Sequence, residues 1–173
     1  MDTLSHALWG YGLFGYKRYA KIALFFGAMP DLMSFGIFLV MRLIDGSYQF
    51  GPPPLATLPS WLFLTYSIGH SFVICLPIIG LVALWRKDYA FAMLGWPFHI
   101  VLDFPFHSFQ YFPTPLFWPI SDFKIDGVPW SNWFIWFPNV AGIIFLFVWR
   151  YRQKKQNNLT TQALLRPQRI DRV

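Results

Sequence analysis

Four apolar runs of roughly twenty residues each, at 22–44, 61–85, 89–106 and 130–149, dominate this chain and leave it few ways to fold. A helix rising about 1.5 Å per residue crosses the hydrocarbon core of a bilayer in that length. A shorter apolar piece at 4–16 precedes them and predicts a short tilted or re-entrant helix. Of 173 residues, 55% are hydrophobic, 21% aromatic and only 13% charged, about half the charged share of a soluble domain. A sphere this small cannot shield so many Phe, Trp and Leu side chains from water, so lipid is the expected solvent for much of the surface.

The expected fold class is therefore all-α: a polytopic transmembrane bundle of four long spans plus the short N-terminal membrane or re-entrant helix. Residues 1–149 make up the membrane-embedded domain in this reading. Residues 150–173, rich in Gln, Asn and basic side chains, read as a flexible cytoplasmic tail held near anionic lipid. The opening Met1-Asp2-Thr3-Leu4-Ser5-His6 lacks a cationic n-region and does not read as a removable signal peptide.

Lys and Arg total 14 against 8 acids, and their positions orient the bundle. Lys17, Arg18 and Lys21 precede the first long run, Arg86 and Lys87 separate the second from the third, and Arg150, Arg152, Lys154, Lys155, Arg166, Arg169 and Arg172 follow the last. Only Arg42 and Lys124 fall on the other side, an alternation that four spans require. The connections 17–21 and 86–88 and the C-terminus then face the cytoplasm, while the Pro- and aromatic-rich loops 45–60 and 107–129 face outward. The same scattering makes topology, rather than nucleic-acid binding, the first explanation of the net charge of +6.

Ionisable groups inside apolar runs are costly unless they are paired, metal-bound or wet. All four histidines, His6, His70, His99 and His107, lie in or at the end of such runs, as do Asp31 and Asp103. Every acid in the chain is Asp, and Cys75 is the lone cysteine, so carboxylate chemistry is limited to Asp and no internal disulfide forms. Counting helical rise from the nearest cytoplasmic base places His6, Asp31 and His99 at depths of roughly 15–18 Å and His70 and Asp103 at roughly 24 Å. Four separate segments thus bring polar groups into one slab.

The sharpest local signal is the spacing of His99 and Asp103, four apart and so on one helical face. Such a pair suits a shared metal ion, a carboxylate that orients a ligating imidazole, or a His–Asp hydrogen bond that only ties helices together. Pro105 follows and places His107 at the start of the outer loop. Asp31 follows Pro30 and Gly27, residues that loosen a helix where a site is lined, and it equally reads as the N-cap of a restarted helix. His70, between Gly69 and Ser71, has small neighbours that admit another helix or a ligand.

Taken together, His6 with Gly10, Pro30-Asp31, His70-Ser71, and His99 with Asp103 followed by the stretch from Pro115 to Ser121 resemble the inner-membrane metal-dependent hydrolases of the LexA-regulated, YdjM-like group. The resemblance covers residues 3–124. Many members carry a further His and an Arg just before the His-Ser pair, where this chain has Thr65 and Tyr66. It implies an integral protein of the cytoplasmic (inner) membrane with a metal site built from His6, Asp31, His70, His99 and Asp103; His107, at the edge of the outer loop, reads separately as a further metal ligand or as an interfacial histidine.

The chemistry expected of that set is hydrolysis of a lipid or lipid-linked ester or phosphoester. A mixed imidazole and carboxylate set suits Zn2+ and also admits Mn2+ or Fe2+. An ion there lowers the pKa of water and polarises the scissile group, with Asp31 or Asp103 taking the proton and Ser71 orienting water or substrate. No Gly-x-Ser-x-Gly elbow supports a serine nucleophile. Two other classes compete: a small transporter or ion-binding protein with an Asp/His path, and a haem-binding bundle using histidine axial ligands. The membrane lipid is both solvent and expected substrate, anionic lipid the partner of the basic tail, and no nucleic acid is expected.

Overall fold

The computed structural model describes residues 1–165, with side chains to Gln162. Arg166, Arg169 and Arg172 of the expected tail lie outside the described residues. Eight α-helices follow in order: α1 (Thr3–Phe14), α2 (Ala20–Asp31), α3 (Ile37–Ile44), α4 (Ser60–Gly69), α5 (Phe72–Trp85), α6 (Lys87–Met93), α7 (Gly95–Asp103) and α8 (Trp133–Leu165). There is no strand among the described residues, in keeping with the all-α expectation.

The span count differs from four. Two helices are long and apolar enough to cross a membrane: the continuous stretch Ala20–Ile44 and the apolar part of α8. A third is reached only if α4 and α5, bent by 51° at their junction, are taken as one broken span. The expected span at 89–106 is instead two short helices, α6 and α7, parted at Leu94. Gly95 and Pro97 at the head of α7 weaken helix propagation there, and α7 tolerates Pro97 because its first turn has no intrahelical use for that N–H. The 4–16 run forms α1, whose 12 residues are too short for the hydrocarbon core.

At Pro30 the chain stays helical. Asp31 ends α2 and a π-helical turn, Leu32–Gly36, leads into α3. The wide turn is accommodated locally: the Ser34 hydroxyl donates to the Pro30 carbonyl at 3.0 Å. Asp31 is therefore no N-cap, and its carboxylate is free to face the interior.

Small residues let the helices around the polar interior approach closely. A Cβ at Gly27 of α2 would meet the His6 carbonyl of α1 and lie 3.2 Å from the Ala7 Cα; one at Gly95 of α7 would lie 3.0 Å from the Gly27 amide. α1, α2 and α7 thus cross at backbone contact, which only glycine allows. At the break between α4 and α5, freed backbone groups find long-range partners. Trp96 Nε1 donates to the Gly69 carbonyl at 2.6 Å, and the Phe72 amide donates to the Leu116 carbonyl at 2.9 Å.

One end of the molecule gathers the basic segments. Lys17 lies 4.4 Å from the centre of the Phe91 ring, Tyr19 packs on Tyr89, and the Arg150 guanidinium sits 3.9 Å over Tyr16. The other end is built from the loops around Pro52 and Pro53, 106–112 and 129–131 together with the start of α1. Where composition predicts a flexible tail from residue 150, the chain remains in α8 to Leu165, so Arg150, Arg152, Lys154 and Lys155 are carried on a helix.

Candidate metal centre

Asp31 closes α2, His70 fills the α4–α5 break, and His99 and Asp103 stand one turn apart on α7. All four are buried, and one donor atom from each lies within 4.8 Å of the other three. This group can hold a metal ion.

Hydrogen bonding fixes which atoms face inward. His70 Nδ1 lies 2.9 Å from the Tyr66 carbonyl and His99 Nδ1 lies 2.7 Å from the Gly27 carbonyl. A carbonyl only accepts, so both Nδ1 atoms carry protons, and each Nε2 of a neutral ring presents a lone pair. The two Nε2 atoms are 3.0 Å apart. Asp103 Oδ2 lies 3.3 Å from His70 Nε2 and 3.1 Å from His99 Nε2, and Asp31 Oδ1 lies 3.8 and 3.7 Å from the same two atoms. Four acceptors therefore converge, and Asp103 Oδ2 has no hydrogen-bond donor.

Lone pairs crowded together away from water are relieved by a cation bound among them, as they are by a proton shared between an imidazole and a carboxylate. Ligands at about 2.0–2.1 Å around a tetrahedral ion stand about 3.3 Å from one another. The His70–His99–Asp103 separations of 3.0–3.3 Å match that edge, and the Asp31 separations exceed it by a small inward movement. An imidazole whose second nitrogen donates to a backbone carbonyl is also the usual support of a ligating histidine.

The remaining sequence-predicted residues join through Asp103 or stand apart. His6, at 1% exposure, has its Nε2 2.8 Å from Asp103 Oδ1 and stacks on His99 with ring centres 3.6 Å apart. It grips the oxygen turned away from the four-atom group. His107 follows a 3₁₀ turn, Phe104–Phe106, and is extended; its Nε2 is 3.8 Å from the same Oδ1. The Met1 amine also contacts Oδ1. Ser71 does not reach the group. It caps α5 by accepting from the Val73 amide at 3.1 Å, and donates to the Trp118 carbonyl at 2.5 Å. Its proton is engaged by the 115–118 segment, which the hydroxyl holds against the head of α5.

Three residues not singled out as site residues complete the surroundings. The Thr3 hydroxyl donates to Asp31 Oδ2 at 2.8 Å, leaving Oδ1 to the group. Tyr66 stacks on His70 at 3.8 Å, and its hydroxyl lies 2.8 Å from His107 Nδ1 and 2.9 Å from the Phe112 carbonyl. Asn139 on α8 accepts from Trp9 Nε1 at 2.7 Å and donates to the Ser5 hydroxyl at 2.8 Å, fastening α1. Tyr66 had a signal, since it occupies the place where the motif pattern has another polar group; Asn139 had one as an Asn deep inside the last apolar run.

No family model, curated protein or solved structure matches the chain. The donor set itself is what speaks for metal. His70 and His99 cannot serve together as the two axial ligands of a haem, because two Nε2 atoms 3.0 Å apart leave no room for a macrocycle between the rings.

Beside the group lies a cavity of about 830 Å³ at the loop-built end, reached by Asp31 and His107 and walled by Phe35, Tyr111, Phe112 and Trp130. His70, His99 and Asp103 do not line it.

Proposed function

We propose that this chain is a membrane-embedded, metal-dependent hydrolase of a lipid or lipid-linked ester or phosphoester. The observation that carries the reading is the convergence of Asp31, His70, His99 and Asp103 on one buried point, where Asp103 Oδ2 has no hydrogen-bond partner. His70, His99 and Asp103 would hold the ion, with the position on the cavity side, beside Asp31, left to water. The imidazole and carboxylate donors favour Zn2+ and admit Mn2+ or Fe2+.

The ion supplies an acidified water and a polarised scissile bond. Around it, the residues divide the work. Asp31 is the sole member of the group that lines the cavity, so it meets the incoming water and accepts its proton. Thr3 steadies the second Asp31 oxygen, so the accepting oxygen keeps one direction. His6 holds Asp103 from behind and fixes the angle of its Oδ2. The apolar shell around the group keeps bulk water out, which strengthens every charge interaction inside it.

In this reading the basic end faces the cytoplasm of the inner membrane, where Arg150, Arg152, Lys154 and Lys155 meet anionic lipid. The resemblance of the motif order to that of the YdjM-like hydrolases points the same way. Elemental analysis of purified full-length protein tests it. About one equivalent of divalent metal is expected in the wild type and less than a tenth in His99→Ala and Asp103→Ala. A metal-free wild type, or stoichiometric metal in both variants, overturns the proposal.

A further inference from the structure

We infer that the loop-end cavity is the substrate's way in, and that it is built for an amphiphile whose polar head carries no net negative charge. This rests on the metal-dependent reading for what happens to the substrate, but not for what binds.

Access is decided by exposure. His70, His99 and Asp103 are at most 1% exposed, whereas Asp31 and His107 both border the cavity. A reacting group can reach the donor set only past those two. The volume of about 830 Å³ is that of a ligand pocket rather than a packing defect. Its walls alternate two surfaces. Phe35, Phe112 and Trp130 offer apolar area to an acyl or prenyl chain, while Tyr111 offers a hydroxyl that is buried without a partner.

Charge selects the head. Among the described residues no Lys or Arg lines the cavity; its carboxylates are Asp2 and Asp31, and its one cation, the Met1 amine, is ion-paired with Asp103. An unpaired phosphate monoester entering there finds no guanidinium or ammonium side chain to replace its hydration. A quaternary ammonium finds aromatic faces and carboxylates. The groove at the opposite end, with Arg150 and Lys154, has the reverse character.

The test uses the full chain in nanodiscs and three soluble probes below their aggregation concentrations: hexylphosphocholine, hexyltrimethylammonium and hexyl phosphate. By calorimetric titration of the chelated protein, where no ion can draw the phosphate, the first two should bind at least tenfold more tightly than the third. Trp130→Ala should weaken hexyltrimethylammonium at least fivefold, and Asp2→Asn, which retains the helix cap, should narrow its preference over hexyl phosphate. Labelling Gln110→Cys at the mouth with a charged maleimide should block binding, while labelling Asn158→Cys at the basic end should not. Equal or tighter binding of hexyl phosphate, no binding of any probe, or unimpaired binding after labelling of Gln110→Cys overturns the inference. Melting curves of each variant exclude misfolding as the cause. Titrations run with bound metal and after chelation separate the two claims. Selective binding in a protein that never holds metal removes the hydrolase reading alone, and stoichiometric metal without selectivity removes this one alone.

Discussion

The two ends of α1 are closed in opposite ways. At its N-terminus Asp2 caps the helix by accepting from the Ser5 amide at 2.8 Å, and His6 and Thr3 run straight into the buried carboxylate–imidazole group. At its C-terminus a single cation from distant sequence does the closing: Arg150 donates to the Gly12 carbonyl at 3.0 Å and the Leu13 carbonyl at 3.4 Å. Both ends suit the helix dipole, acid at the amino end and base at the carboxyl end. They differ in burial. At the first end the His6–Asp103 contact is fully buried, so each atom depends on its neighbour; the second end is half-open, and water can replace any bond it loses.

That contrast predicts graded effects. The largest is at the buried end: Asp103→Asn should reduce metal affinity more than a hundredfold. It should leave the fold intact, because the amide brings a donor into a crowd of acceptors. Retention of full metal content in that variant would show that the carboxylate is no ligand and would erase the difference between the ends. Next comes Gly27→Leu, where a side chain must enter a backbone contact between α1 and α2. A loss of about 3 kcal/mol is expected in denaturant titrations, with metal binding weakened alongside stability.

Ser71→Ala sharpens the division between site and scaffold. Loss of the α5 cap should cost about 1 kcal/mol, read as a lower melting temperature, with metal content unchanged. A selective loss of metal instead would return Ser71 to the site. The smallest effect belongs to the basic end. Arg150→Gln should change stability by less than about 1 kcal/mol and leave metal untouched, since the freed carbonyls can be hydrated. A loss of metal in Arg150→Gln would mean that the two ends are coupled through α1.

The site was legible in outline from the sequence. His99 and Asp103 were readable because helical periodicity alone puts residues four apart on one face, and their 3.1 Å contact follows from it. Asp31 and His70 were readable because an ionisable group in an apolar run needs a reason to be there, whereas His6, read as a ligand by the same argument, instead holds the outer oxygen of Asp103. The helix break at 89–106 was less so, although Gly95 and Pro97 stood in plain view, since total hydropathy takes no account of where propagation fails. The roles of Tyr66 and Asn139 were out of reach, because each depends on partners more than forty residues away.

By itself, then, the sequence determined the helical class, the apolar surface and the identity of the polar exceptions, all of which are local properties of composition and period. Tertiary structure alone decided which oxygen of Asp103 meets the Nε2 pair, that His6 grips the other oxygen, and that Ser71 serves a cap. Those outcomes depend on helix crossings at glycine backbone and on hydrogen bonds that fix ring orientation, and neither is encoded in any single segment.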